Sequence, residues 1–429
     1  MDLKAIAKEK LSLSSVQGDS RARVIGGSAA GLAIVLVVLL LTLTTCGGGS
    51  GAEGNGKKPV GAEEDADKPS EAVVRISPGD DAKDVAPTGK LEVTAEKGKL
   101  TKVAVEDADG RPVDGKITEG GAAWRPAAHL STGTRYSVRA SAQDAEGRTA
   151  TKKASFTTLK PKNPLLGRFT PEDGDKVGAG MPVSIEFNRP VEDRAAVEKA
   201  ISVTADPKVR VEGHWFGDQR LDFRPEDYWA KGTDVTLDLG LDGVEGAKGV
   251  YGTQDKKVRF AVARHQVSVV DAKTKKMTVT RDGKKIKTIP ITSGSPEHPT
   301  YNGRMVISER LTETRMDGNT VGFGRDEGAG GYDIKDVPHA QRLSTSGTFI
   351  HGNYWNPQST FGRANVSHGC VGLYDLRGGG STKTPGAWFF RNSIVGDVVE
   401  IKNSHDKTVQ PDNGLNGWNM SWEKWTAKQ

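Results

Sequence analysis

Hydrophobic positions change regime several times along this chain. Residues 24–45 are almost wholly apolar, and 32–41 (LAIVLVVLLL) contain neither a charge nor a proline, with Arg21 and Arg23 just before them. About 20 apolar residues are enough to cross a bilayer, and basic residues ahead of the run favour keeping the N-terminus inside. The pattern predicts a membrane segment over 24–46, a cytoplasmic N-region over 1–23, and export of everything after Cys46. Residues 47–70 are mainly Gly, Ala, Glu, Asp and Lys, too polar to close a core, and read as a flexible linker.

From about Glu71 short alternating runs take over: Val73-Val74-Arg75-Ile76, Leu91-Glu92-Val93-Thr94, Val103-Ala104-Val105, Tyr136-Ser137-Val138. A period of two marks half-buried strands, and the spacing predicts an antiparallel β-sandwich over 71–160. A second set, including Val183-Ser184-Ile185-Glu186-Phe187, Val235-Thr236-Leu237 and Val258-Arg259-Phe260, predicts another over 161–263. Trp124-Arg125-Pro126 with Gly133-Thr134 recurs as Phe223-Arg224-Pro225 with Gly232-Thr233, both displaced by 99 residues (224 − 125 and 232 − 133). Tandem duplication of one sandwich explains the common offset. A third module, 264–402, is also mainly β, with strands at Val267-Ser268-Val269-Val270, Thr348-Phe349-Ile350 and Val398-Val399-Glu400-Ile401 and one helix expected over 385–392. The extension 403–429 carries Trp418, Trp422 and Trp425, spaced to share a helix face and to pack back onto a domain.

Composition narrows the partners. A formal net charge of +5 over 429 residues, with no basic run longer than short clusters such as Lys284-Lys285, argues against nucleic acid. Cys46 sits at the membrane, so Cys370 is the one thiol of the exported body. A free thiol in an oxidising compartment is a liability unless its chemistry is used. His129 and His214 stand alone and are expected to be structural or exposed.

The chemistry concentrates in Phe349-Ile350-His351-Gly352-Asn353 and Val366-Ser367-His368-Gly369-Cys370-Val371-Gly372-Leu373. A thiol needs a base or an electropositive setting to become a nucleophile. His351 ends a separate apolar run, so a neighbouring strand can carry it to the sulfur; it is the expected base, with His368 as a supporting, orienting group. Gly369 permits a sharp turn, and the N–H groups of Gly369 and Cys370 are candidates to face an oxyanion. The alternative is a buried structural cysteine near metal-binding or core histidines. A zinc site wants three or four ligands, and nothing in the sequence completes one, so no metal and no cofactor is expected.

His351 followed by Ser367-His368-Gly369-Cys370 resembles the signature of YkuD-type L,D-transpeptidases, over about 266–402. The anchor and the two modules, then immunoglobulin-like, resemble the actinobacterial branch. The resemblance implies a mainly β protein with two tandem immunoglobulin-like β-sandwiches and a YkuD-like catalytic domain. Cys370 would attack the bond between a diaminopimelate L-centre and the terminal D-alanine of a tetrapeptide stem, D-alanine would leave, and the side-chain amine of a second stem would resolve the thioester. His351 matches the proton carrier and the Gly352 carbonyl the group that orients it. Pro299-Thr300-Tyr301-Asn302-Gly303 matches a further family segment; Met316 and Tyr332 fall where a lid covers the donor site, and Ser346 and Gly347 where substrate contacts are expected. Gly372 departs from the Asn or Arg usual two residues after the cysteine. Leu43-Thr44-Thr45-Cys46-Gly47 resembles a lipoprotein cleavage site with Cys46 lipidated, although Thr45 replaces the usual small residue, so an uncleaved transmembrane anchor stays open. The implied protein is a monomer on the extracytoplasmic face of the membrane, a carbapenem target whose partners are peptidoglycan stem peptides. A wall-binding scaffold, or the same acyl-enzyme used for hydrolysis or protein anchoring, are the alternatives.

Overall fold

A computed structural model describes residues 68–326 and 331–428; the N-region, the apolar segment, Cys46 and most of the linker lie outside it. The first β module consists of two four-stranded sheets. One runs Val73–Ser77, Glu92–Glu96, Ala123–Pro126, Gly115–Ile117, and the other Ala82–Val85, Thr149–Thr158, Arg135–Gln143, Lys99–Asp107. Along Arg135–Gln143 buried and exposed residues alternate, as a strand with one face on a core demands. The buried set, including Val93, Trp124, Tyr136 and Phe156, forms one cluster between the sheets. The Tyr136 hydroxyl accepts from Ser131 N–H at 2.9 Å, which gives this buried phenol a polar partner.

The second module repeats that layout. Its sheets run Gly167–Thr170, Val183–Phe187, Arg220–Pro225, Val211–Phe216 and Lys176–Gly178, Asp255–Arg264, Asp234–Gly240, Ile201–Asp206, the same order in chain sequence as in the first, around a separate core that includes Ile185, Leu221 and Leu237. Trp124 and Phe223, the pair displaced by 99 residues, both stand in inner strands and are both buried.

The third module is a nine-stranded sheet in the order Gly303–Val306, Val398–Lys402, Gln266–Asp271, Lys276–Arg281, Lys284–Thr292, Val371–Tyr374, Phe349–Asn353, Asp333–Arg342, Glu309–Asp317. Phe349–Asn353 and Val371–Tyr374 pair in parallel, Ile350 opposite Val371 and His351 opposite Gly372. The expected helix is present as Pro385–Arg391, started by Thr384, whose hydroxyl accepts from Ala387 N–H. A bidentate ion pair from Arg264 to the buried Asp397 ties this module to the second one. Gly178 gives them close approach, since a Cβ there would lie 2.3 Å from Asp397 N.

The tryptophans of the extension do not share one helix. Ser421 adopts an extended conformation and caps the short helix Trp422–Trp425, which leaves Trp418 in a separate turn, Gly417–Asn419. All three rings nevertheless gather on the second module, around the Arg224 guanidinium at 4.3 to 5.4 Å. Trp418 Nε1 donates to Gly180 O at 2.7 Å and Trp425 Nε1 to Glu212 O at 2.9 Å.

Candidate active site

The parallel pairing of the two motif strands decides where the chemistry lies. Cys370 immediately precedes Val371, so the register of the Val371–Tyr374 strand sets it beside the start of Phe349–Asn353, on the face that also carries His351. Both side chains line one cavity of about 720 Å³, with Met316, Tyr332, Asn353, Trp355, Ser367 and His368. His351 is 3% exposed, its Nδ1 donates to the Gly352 carbonyl at 2.7 Å, and its ring stacks on Trp355 at 5.6 Å. With Nδ1 carrying the proton, Nε2 is the basic nitrogen.

Burial pushes the Cys370 thiol up to about 11, opposed by a hydrogen bond from the Phe349 amide, and pulls His351 down to about 4, opposed by its bond to Gly352. The resting pair is therefore a neutral thiol and a neutral imidazole. The thiol hydrogen bond runs to the Gly347 carbonyl at 3.6 Å.

Gly352 is held from beneath. A Cβ on it would lie 2.5 Å from Asp375 Oδ2, so only glycine fits. Asp375 is fully buried and accepts from His339 Nδ1 at 2.7 Å and Thr384 Oγ1 at 2.7 Å, joining the base-bearing strand to the start of the helix.

Residues 265–401 match the L,D-transpeptidase catalytic domain and residues 82–245 a bacterial Ig domain. The chain is 32% identical over 348 residues to L,D-transpeptidase 2 of Mycobacterium tuberculosis, covering 81% of this chain and 82% of that protein. This chain belongs to the L,D-transpeptidase family. L,D-transpeptidase 5 of the same species is 29% identical, over 82% of this chain and 75% of that protein. A solved LD transpeptidase in complex with imipenem is 27% identical and aligns with 56% of this chain and 100% of its own, at a TM-score of 0.47. The family acts on peptidoglycan stem peptides, so this L,D-transpeptidase is an acyltransferase of peptidoglycan cross-linking. The Ig match is a single one that runs through both sandwich-like modules.

Around this core the other expected residues take different places. The His368 ring stacks on His298 at 5.2 Å and meets Phe323 and Tyr332. His351 is in contact with Gly352 O through Nδ1 and with the Trp355 ring. Gly369 has φ +109, as the turn requires, but its N–H donates to Ser367 Oγ at 3.3 Å, whereas the Cys370 N–H has no acceptor among the described residues. Of the two proposed oxyanion donors, Cys370 is the uncommitted one. Met316 and Tyr332 line the cavity, and burial pushes the Tyr332 phenol up to about 12. Ser346 is exposed and bonded to Asn413 of the extension, Gly347 (φ +96) holds the thiol proton through its carbonyl, and Gly372 lies opposite His351 without lining the cavity. Trp355, Asn353 and Asn356 were not singled out by the sequence; an aromatic four residues after the base was the available signal. Among the described residues no group of three or more His, Cys, Asp or Glu side chains is arranged to hold a metal.

Proposed function

We propose that the protein is an L,D-transpeptidase that joins diaminopimelate residues through a thioester on Cys370, with release of D-alanine. The observation that carries this is that Cys370 and His351 line one cavity, with His351 Nδ1 anchored on the Gly352 carbonyl. His351 Nε2 takes the thiol proton as Sγ attacks the carbonyl between the diaminopimelate L-centre and D-alanine. The Cys370 N–H stabilises the resulting oxyanion. The C–N bond breaks, His351 returns the proton to the departing amine of D-alanine, and the thioester remains. The side-chain amine of a second stem then attacks, its proton passes through His351, and the thiol is restored.

The wider arrangement belongs to the same proposal. An anchor over 24–46, lipidated at Cys46 or spanning the bilayer, and a linker over 47–70 hold a monomer on the outer face. Two immunoglobulin-like domains (71–160 and 161–263) space the catalytic domain (264–402) from the membrane, and the 403–429 extension braces it.

Incubation of the full protein with disaccharide tetrapeptide tests this. Cross-linked dimer and free D-alanine in equal amounts are expected, and neither with Cys370→Ala. Tripeptide without dimer means that water is the acceptor, and bound but unaltered stem means a scaffold; either result sinks the proposal.

A further inference from the structure

The strand that follows the nucleophile has a gap on its working face. Cys370, Gly372 and Tyr374 alternate onto one face, beside His351 and Asn353 of the parallel neighbour, with His351 opposite Gly372 and Asn353 opposite Tyr374. Nothing projects from Gly372, yet the space is not empty. A Cβ there would lie 2.7 Å from Thr292 Cγ2 and 3.3 Å from Asn353 Nδ2. Asn353 is 2% exposed and lines the cavity together with Cys370 and His351.

Its carboxamide is bonded at both ends. Nδ2 donates to Asn356 Oδ1 at 2.9 Å and Oδ1 accepts from Asn356 N–H at 3.1 Å, while the Asn353 carbonyl accepts from Asp375 N–H at 3.1 Å. These bonds close a turn whose third residue, Trp355, is the ring stacked on His351. Thr292 from the antiparallel neighbour and Asn353 from the parallel one thus share the place that Gly372 leaves open, and Asn353 also fixes the aromatic cover on His351.

We propose that Asn353 is a positioning residue for acyl transfer, acting through the Asn353–Asn356 pair that seats Trp355 on His351, and that Gly372 is the vacancy which admits it. This deepens the transpeptidase reading and rests on it. Pure space-filling by Asn353 would affect stability alone. Positioning of Trp355 also sets how dry His351 is, and hence the pH at which the base fails.

The test uses the full protein, reading kcat and KM for dimer formation, carbapenem acylation of Cys370 by mass, the acid edge of the rate profile, and Tm. Asn353→Ala is expected to lower kcat about tenfold or more and to move the acid edge upward from about 4 toward the ordinary histidine value. Asn353→Asp keeps the volume and the acceptor and loses the donor to Asn356; it serves if the alanine variant folds poorly and should show a smaller shift in the same direction. The exchange is then made in a Thr292→Ser background, which keeps the hydroxyl that accepts from Val366 N–H and removes the obstructing methyl. There Gly372→Asn alone should impair turnover, because two carboxamides compete for one place, and Gly372→Asn with Asn353→Ala should recover most of the loss. An unmoved acid edge in both Asn353 variants, or a combined variant no better than its parents, overturns the proposal. A wild-type protein that forms neither acyl-enzyme nor dimer refutes the transpeptidase reading instead.

Discussion

Two histidines in this protein live in nearly the same surroundings and have different work in the proposed mechanism. His351 is 3% exposed and His214 6% exposed. Each donates Nδ1 to a backbone carbonyl, Gly352 at 2.7 Å and Trp425 at 2.9 Å, and each stacks on a tryptophan, Trp355 at 5.6 Å and Trp425 at 4.9 Å. Burial lowers the pKa of both. The difference is what surrounds the rest of the ring. His351 opens onto a cavity with a thiol, whereas His214 is closed in by Phe216 and Trp425 within the packing of the extension. A dry, oriented imidazole is therefore not a catalyst by itself; a reactive partner and room for substrate make it one.

The sharpest way to break that comparison is one substitution at both sites. Asparagine keeps an amide near the Nδ1 position, and so the bond to the carbonyl, while removing Nε2. His351→Asn should lower the acylation rate about 10²–10⁴-fold with little change in Tm, since the general base is lost. His214→Asn should leave the rate per folded molecule unchanged and cost about 1–3 kcal/mol in chemical denaturation. Equal rate losses at the two sites would end the distinction. The pH dependence follows from the same values. His351 must be neutral, so kcat/KM should hold down to about pH 4 and fall below it. Because burial lowers its folded pKa below the ordinary 6.5, protonating His351 destabilises the fold, a penalty absent above 6.5 that sets in as pH falls from there through about 4. That penalty is roughly 3 kcal/mol, and His351→Asn should abolish this part of the acid destabilisation.

The two tryptophans give a smaller, complementary contrast. Trp355 is 39% exposed and Trp425 only 1%. Trp425→Ala should destabilise by about 3–5 kcal/mol, as truncation of a buried Trp does, without moving the acid edge of the surviving activity. Trp355→Ala should cost little stability but lower the rate about tenfold and raise the acid edge, because water reaches the base. An unmoved edge would mean that the stacked ring does not keep His351 dry.

How much of this was legible depends on distance along the chain. Period-two alternation identified the strands because each sheet has one dry face, and the shared displacement of Trp124 and Phe223 pointed to a duplicated module, to which the structure adds a common strand order. That Cys370 and His351 would come together was legible because both carry rare chemistry in short motifs. The Gly352 carbonyl was expected beside His351 from the family resemblance, but the packing that requires glycine there was not legible. Gly352 looks like any glycine until Asp375 is placed beneath it, 23 positions later (375 − 352). Gly372 reads as a missing side chain until Asn353 is seen above it. Trp418, Trp422 and Trp425 were correctly expected to pack back, but Ser421 caps a new helix between them, and Arg224 gathers them instead of a common helix face.

The smallest effect tests how far the extension reaches into the site. Asn413 accepts from the Ser346 amide at 2.9 Å and from Thr345 Oγ1 at 2.8 Å, and donates to Ser346 Oγ at 2.8 Å. Ser346 precedes Gly347, whose carbonyl holds the Cys370 thiol proton. Asn413→Ala removes three exposed bonds, so global stability should fall by no more than about 1 kcal/mol. The loop before Gly347 would then be held from one side only, and a thiol less well aligned should react a few-fold more slowly, with kcat falling and KM unchanged. The matched control is Asn419→Ala, which cuts bonds between the extension and Arg304, at the far edge of the sheet. A rate loss in the first variant and none in the second places the extension among the parts that align the nucleophile; equal losses reduce it to a clamp on the fold.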